Sequence, residues 1–489
     1  MTEETTEAAA STARAKPDPK AIDRKARLSA PSHLPGKQPP AERIHNWDEV
    51  SFIFDAETAR AEAQRCIQCP AAPCQKACPV HNDIPGAFWL LEQGDISGGA
   101  SVFRETSELP EMCGRLCPQE RLCEGHCVVG KNAAPVAIGK LEVFLTETQR
   151  REGSYARRTA AAATGKSVAI VGAGPAGIGA AERLALAGHR VVIYDAWPRA
   201  GGLLRYGIPS FKLNKGAVTR KFDDLAALGV EFVPDTYVGR DIALDRIASE
   251  FDAVFLAFGA PQDARLGIPN EDAPGVHRAT EFLVRGNVAK GELPESLREP
   301  LPTARNVVVV GGGDTSMDCV RTAVRLGSEV VTLIYRRTEA EMQGRTEERK
   351  HAREEGVHFE FLTAPVEVVT NEQGAVQALR CRRMRLGEPD ESGRARPEPV
   401  PDSEFDVPAD LIITAIGYNT DPVWGEAAPE VTRDQWGRVL VEPQTMRTAQ
   451  RGVFAGGDNV NGADLVVTAL ADGQRAAAAI DDYLRNPSW

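Results

Sequence analysis

The sequence of 489 residues has no apolar run of the ~18 residues that a membrane-crossing helix needs, so no span is expected. It has no basic excess either. Its 57 Lys and Arg stand against 69 Asp and Glu, a net charge of −12, which excludes a general nucleic-acid binder resting on a positive field. The first residues lack an apolar core and a small-residue cleavage site, so no secretory signal is read and the chain is expected in the cytoplasm. With no signal and so long a chain, the 10 cysteines do not read as disulfide staples. No Ser/His/Asp constellation or paired-carboxylate motif stands out, and no side chain is assigned as catalytic acid, base or nucleophile. What is present is an ordinary globular balance, 42% hydrophobic and 26% charged, in a chain long enough for about three domains.

Residues 1–40 hold prolines, mixed charge and few large apolar groups, and read as a disordered tail. Residues 41–155 carry most of the cysteines, with short helices expected over 84–93 and 138–148, and 157–165 reads as a linker. From Lys166 the pattern changes to an apolar run ending in glycine (166–172), a helix-compatible stretch through Ala187, and a second apolar run (189–195). The same order returns at 306–311, 314–326 and 329–336. Strand, glycine turn, helix and strand, given twice, predict an α/β fold with two Rossmann-like nucleotide-binding domains. A glycine-bounded segment over 453–458 precedes a last helix from about Leu465 to Leu484.

Eight of the 10 cysteines fall into two runs, Cys66-x2-Cys69-x4-Cys74-x3-Cys78-Pro79 and Cys113-x3-Cys117-x5-Cys123-x3-Cys127. Dense thiolates in a chain without disulfides point to metal or redox chemistry. The first run approaches the bacterial ferredoxin pattern ending in Cys-Pro, though its middle spacer is longer, and in that pattern the last cysteine serves the other cluster. Two [4Fe–4S] clusters with crossed ligation are therefore expected, with structural zinc as the alternative. Cys319 and Cys381 stand apart and read as core thiols.

The first glycine motif is Gly172-Ala173-Gly174-Pro175-Ala176-Gly177, after a strand and opening a helix. Its glycines allow a pyrophosphate to approach the positive end of the helix. Asp195 ends the next strand, where a carboxylate accepts from ribose hydroxyls and repels a 2′-phosphate, so this unit suits FAD. The second motif is Gly311-Gly312-Gly313-Asp314-Thr315-Ser316, and its following strand ends in Arg336 and Arg337 with no acid. Arginine offers fixed donors to a phosphate, so this unit suits NADPH over NADH. In the closing piece, Gly456-Gly457-Asp458 places an aspartate to bind a ribityl chain. The helix opening at Leu465, Val466 and Thr468 sets its dipole near a flavin pyrimidine. The stretch from Gly201 through Gly202, Leu203 and Arg205 to Pro209 is expected to wrap the flavin.

These blocks together, from Cys66 through VAIVGAGPAG (168–177), GGLLRYGIPSFKL (201–213), VVVVGGGDTSMDCVRTA (307–323) and YRR (335–337) to FAGGD…GADLVVTAL (454–470), resemble the small (β) subunit of bacterial NADPH-dependent glutamate synthase. The wider family takes in the amino-terminal half of dihydropyrimidine dehydrogenase and the large subunit of NADH-dependent ferredoxin:NADP oxidoreductase. The resemblance implies an α-helical domain with two [4Fe–4S] clusters over 41–155. It also implies an FAD domain split into 156–285 and 416–489 by an NADPH domain over 286–415. It implies one cluster on Cys66, Cys69, Cys74 and Cys127, and a second on Cys78, Cys117, Cys123 and an oxygen ligand, Glu142. Counting thiols alone would instead select Cys113. Leu203, Arg345 and the Ala415-Ile416-Gly417 turn match stretches that contact the flavin and NADPH. The implied activity is electron input, with NADPH oxidised at FAD and electrons leaving through the clusters to a partner, the glutamate synthase large subunit or another flavin or iron–sulfur acceptor.

Overall fold

The computed structural model describes residues 22–390, 393–424, 428–487 and 489. Residues 1–21 of the expected tail lie outside these. The chain forms two units. The first gathers the described residues up to Pro35 with Ile53–Thr106 and Gln119–Tyr155; the second gathers Gly36–Phe52, Ser107–Pro118 and Ala156–Trp489.

The first unit is helical. Asp55 caps the helix Ala56–Ala63 by accepting the Thr58 N–H at 2.8 Å, and Asp83 caps Ile84–Glu92 through the Gly86 N–H at 3.1 Å. Helices Ile96–Thr106 and Ile138–Arg151 complete a core in which Phe88, Phe103, Leu141 and Leu145 are fully buried. Each such side chain contributes roughly 1.5–3 kcal/mol by leaving water. Cys74 belongs to this core, and Cys66, Cys69, Cys123 and Cys127 pack against its edge.

The tail reading is corrected for residues 22–40. Arg24–Ser29 is a helix capped by Asp23, and Arg27 pairs with the buried Glu92 at 2.6 Å while donating to the Cys66 carbonyl at 2.7 Å. Composition could not show this order, because the charged partners are far along the chain.

The second unit holds fifteen strands in chain order among the described residues. They are β1 (Ser167–Val171), β2 (Arg190–Tyr194), β3 (Glu231–Val233), β4 (Ala253–Leu256), β5 (Gln262–Asp263), β6 (Val276–Arg278), β7 (Asn306–Val310), β8 (Val330–Tyr335) and β9 (His358–Phe361). There follow β10 (Thr363–Thr370), β11 (Val376–Pro389), β12 (Ala395–Pro408), β13 (Leu411–Thr414), β14 (Tyr418–Asn419) and β15 (Val453–Ala455). Two parallel sheets result, ordered β15-β4-β1-β2-β3 and β6-β13-β7-β8-β9. β1 and β7 are near-continuous apolar runs, as strands covered on both faces must be. Both sit at the centre of their sheets, where strand order reverses and ligands bind beyond the carboxyl ends.

The two domains are nested. The chain leaves the first sheet after β4 and returns to it as β15. Outward and return paths run side by side as the antiparallel pair β5–β14, with Asp263 opposite Tyr418 and Gln262 opposite Asn419. The expected boundary at 285/286 falls too late, because β6 already pairs with β13 in the second sheet. A three-residue, half-buried strand carries no periodicity to read. β10, β11 and β12 form a separate antiparallel sheet. Among the described residues no helix is long and apolar enough to cross a membrane.

Candidate nucleotide and iron–sulfur sites

After β1 the chain turns at Gly172, whose φ of +110° favours glycine. A Cβ on Gly172 would come closer than 3.0 Å to the Ala257 carbonyl oxygen, and one on Gly177 would crowd the Gly172 carbonyl as closely. Gly174 between them has nothing within 4 Å of its Cβ position. Two glycines thus serve packing, and one leaves the start of the helix Pro175–Leu186 uncovered, with Ala173 and Ala176 buried beside it. Unpaired N–H groups at such an end attract a pyrophosphate. Gly202 closes on this opening, since its Cβ would lie 3.0 Å from the Gly174 Cα.

Asp195 follows β2. Its carboxylate accepts the Ala173 N–H at 2.7 Å and the Trp197 N–H at 2.9 Å, yet burial raises the carboxyl to about 6. It stands where an adenine ribose would be read. Leu203 is exposed and Leu204 fully buried. Arg205 turns inward, donating to the Ala200 carbonyl and the Thr219 hydroxyl, both at 2.9 Å. It braces the loop rather than offering its guanidinium outward. Sequence reasoning missed Lys215, whose ammonium donates to the Leu204 carbonyl at 2.8 Å and to the Ile208 carbonyl, and whose burial lowers it to about 7.

The closing piece meets the first helix directly. A Cβ on Gly457 would lie 3.0 Å from that of Ala176, so Asp458 stands beside the helix's first turn. Burial raises the Asp458 carboxyl to about 7, opposed by the Asp464 backbone N–H and reinforced by the charges of Asp464 and Asp472. Asp472 was also missed by sequence reasoning. It accepts the Gly457 N–H at 2.9 Å and the Asn461 amide at 2.7 Å, fixing the loop from within the helix Val466–Arg485. That helix opens with the Leu465 N–H donating to the Thr468 hydroxyl at 3.1 Å, and Val466 is half-buried. It packs hard on the first helix, since a Cβ on Gly473 would crowd the Ala176 carbonyl.

The second loop repeats the first with a substitution. Gly311 crowds the Ala415 carbonyl, Gly312 lies against the Tyr335 ring, and Gly313 faces open space. Ser316 takes the place that Gly177 holds and donates its hydroxyl to the Ala415 carbonyl at 3.2 Å. Asp314 opens the helix Asp314–Arg325 and accepts the Arg345 N–H at 3.1 Å. The Arg345 guanidinium donates to the Arg115 carbonyl at 2.7 Å, and the Tyr418 hydroxyl donates to that of Thr315 at 3.2 Å. Gly417 has a φ of +116° and open space at its Cβ position, with Ile416 exposed beside it.

The two arginines at the end of β8 part ways. Arg336 is exposed, whereas Arg337 is only 3% exposed and donates to Asp390 at 2.6 Å and the Ala395 carbonyl at 2.7 Å. Arg337 ties β8 to the tip of the β11–β12 hairpin. Of the expected pair, Arg336 is the one whose side chain is left at the surface.

In the first unit, burial raises the Cys66, Cys69 and Cys74 thiols, Cys74 to about 12. Their mutual charges add to it: Cys66 is affected by Cys74, Cys127 and Cys69, and both Cys69 and Cys74 are affected by Cys127. The four thiols are near enough for their charges to act on one another, and thiolates are the donors an iron–sulfur cage takes. Among the described residues no group of three or more His, Cys, Asp or Glu is arranged to hold a metal ion. Cys78, Cys123 and Glu142 also belong to this unit; Glu142 is 6% exposed and accepts the Asn82 amide at 3.3 Å. Cys113 and Cys117 are buried on the segment that groups with the second unit. Cys319 and Cys381 are fully buried in the second unit's core.

Comparison with known proteins agrees with this layout. Residues 43–154 match the family described as dihydropyrimidine dehydrogenase domain II, 4Fe-4S cluster, and residues 166–473 match that of the pyridine nucleotide-disulphide oxidoreductases. The glutamate synthase [NADPH] small chain of Escherichia coli (strain K12) is 42% identical over 455 residues, 92% of this chain and 96% of that protein. The NADP(+)-dependent formate dehydrogenase subunit beta of Moorella thermoacetica is 39% identical over 441 residues, 85% of this chain and 60% of that one. Among solved structures, Mycobacterium tuberculosis FprA in complex with NADPH superposes with a TM-score of 0.56 at 20% identity, over 66% of this chain and 85% of that one, a likeness of fold. The chain belongs to the family of the glutamate synthase small chains, oxidoreductases that join a [4Fe–4S] domain to a pyridine nucleotide-disulphide oxidoreductase domain.

Proposed function

We propose that this chain oxidises NADPH at FAD and passes the electrons singly through two [4Fe–4S] clusters to a glutamate synthase large subunit. The observation that carries the reading is the pair of uncovered glycine loops with unlike ribose positions, an acid at Asp195 after one and the exposed Arg336 after the other. The first would hold FAD between Gly174, Gly202 and Asp195, with Asp458 toward the ribityl chain. The second would hold NADPH between Gly313 and Arg336, its nicotinamide toward Gly417. Bound FAD supplies the conversion from a hydride donor to one-electron carriers. The protein's part is to hold the two nucleotides in register and to exclude water. One cluster is assigned to Cys66, Cys69, Cys74 and Cys127. The other is assigned to Cys78, Cys117, Cys123 and Glu142.

A second reading is supported by the dihydropyrimidine dehydrogenase description of the family matched at 43–154 and by the formate dehydrogenase relative, whose name carries a different electron partner. On that reading the same input chain serves a ferredoxin-linked NADP oxidoreductase or a dihydropyrimidine dehydrogenase. Anaerobic purification with co-expressed glutamate synthase large subunit tests both. A stable complex that makes glutamate from 2-oxoglutarate and glutamine with NADPH supports the first. NADPH-reducible flavin with no such complex supports the second, and a product lacking flavin and iron overturns both.

A further inference from the structure

Residues 36–52 are cysteine-free, lie outside every nucleotide motif, and nonetheless group with the second unit. Their contacts fall on two places. On the second domain, Arg43 is 1% exposed and donates to Glu355 at 2.7 Å and Glu354 at 2.9 Å. Lys37 pairs with Glu347 at 2.6 Å, and the Asn46 carbonyl accepts from Arg325 at 3.1 Å. On the segment that follows the flavin-side loop, the Val50 N–H donates to the Phe211 carbonyl at 3.1 Å and Glu49 accepts the Asn214 N–H at 2.8 Å. Glu49 also pairs with Arg115 at 2.6 Å.

That segment reaches the second domain itself. The Phe211 ring is 1% exposed and lies under the guanidinium groups of Arg325 at 4.0 Å and Arg321 at 4.4 Å. Trp47 of the 36–52 stretch approaches the same ring with centroids 6.1 Å apart. The next residue, Lys212, pairs with the buried Asp318 at 2.8 Å, and Asp318 lies in the helix that starts at the second glycine loop. Glu355, which receives Arg43, also receives Arg321 and Arg325. One connected set of buried charges and one aromatic ring therefore join the flavin-side loop, the second glycine-loop helix and the 36–52 stretch.

Nested domains linked by a two-residue ribbon have an evident axis for turning, and hydride transfer needs the donor and acceptor rings held together. A misplacement of ~1 Å costs up to about a hundredfold in such a step. We propose that residues 36–52 are a strap that fixes the nicotinamide domain on the flavin side, with Arg43, Glu49 and Phe211 as positioning residues for hydride transfer. This rests on the reading of the second loop as the NADPH site.

The test uses full-length holoprotein and the variants Glu49→Gln and Arg43→Lys, which detach the strap at opposite ends; Lys37→Gln serves if either fails to fold. Anaerobic stopped-flow with NADPH is expected to show the limiting rate of flavin reduction falling about ten- to a hundredfold while the NADPH dissociation constant from the same curves stays within about twofold. Hydrogen exchange is read independently of activity. The strap predicts faster exchange over 211–215 and 262–263, with the helix Pro175–Leu186 unchanged. Unaltered limiting rates and exchange in folded variants overturn the proposal, as does a rate loss that tracks flavin loss. If wild-type flavin is not reduced by NADPH, the functional reading fails and hydride positioning fails with it, while the exchange data still decide whether the strap holds the domains.

Discussion

A Cβ on Gly177 would press into the carbonyl oxygen of Gly172, five residues earlier, while one on Gly174 between them would touch nothing. The same division recurs at Gly311 and Gly313. It separates glycines packed against backbone from glycines that leave a helix start open. Gly174→Ala and Gly313→Ala, both at negative φ, are therefore expected to leave the apoprotein's melting temperature within a few degrees. Gly174→Ala should lose FAD on gel filtration, and Gly313→Ala should keep FAD but lose NADPH binding. Gly177→Ala should fail to fold. A Gly174→Ala protein that retains flavin normally would show that the uncovered helix start is not the pyrophosphate site.

Asp195 sets a pH dependence. Its carboxyl rises from the usual 3.8 to about 6, so the folded apoprotein binds the proton more tightly than the unfolded chain. Apoprotein stability contributed by this group therefore falls as pH climbs between those values. FAD held as proposed would work in the opposite sense, because a ribose hydroxyl would donate to the ionised carboxylate. FAD affinity is expected to rise as pH passes upward through about 6. Asp195→Asn should flatten that profile and weaken binding by about ten- to a hundredfold. Flavin fluorescence on dilution at several pH values measures both.

Arg336 and Arg337 are expected to behave differently on substitution. Arg336→Ala should weaken NADPH by about ten- to a hundredfold and leave NADH unchanged, as loss of a charged hydrogen bond to the 2′-phosphate predicts. Arg337→Ala should cost about 1–3 kcal/mol of stability by freeing the hairpin tip at Asp390. Flavin reduction with each dinucleotide and thermal melts separate the two effects.

Cys127→Ser tests the crossed ligation. Burial holds the Cys66 and Cys74 thiols protonated in the absence of a cation, so their ionisation depends on the cluster they would bind. The variant should lose about half of the iron, together with one of two electron paramagnetic resonance signals after reduction. Unchanged iron and spectra would remove Cys127 from the ligand set.

Legibility in the sequence followed the range of each interaction. Each glycine loop lies with its flanking strands inside its own strand–helix–strand unit, and Asp195 closes the first, so periodicity and turn residues suffice. Arg337 could not be told from Arg336, because its partner Asp390 is 53 residues away on a hairpin with no pattern of its own. Residues 36–52 were read partly as tail and partly as cluster domain, since Arg43 and Lys37 find their carboxylates more than 300 residues on. Glu142 was placed by family likeness; its burial inside an otherwise ordinary amphipathic helix became visible only in the packed core.

The pairing of β5 with β14 brings Gln262 next to Asn419. Everything between them is an insert whose two ends meet, so its removal leaves a gap that a short turn can bridge. The nicotinamide module is in that sense a cartridge. An insert with another dinucleotide preference could be exchanged at this seam, changing the fuel while leaving the flavin bed and the wiring beyond it intact.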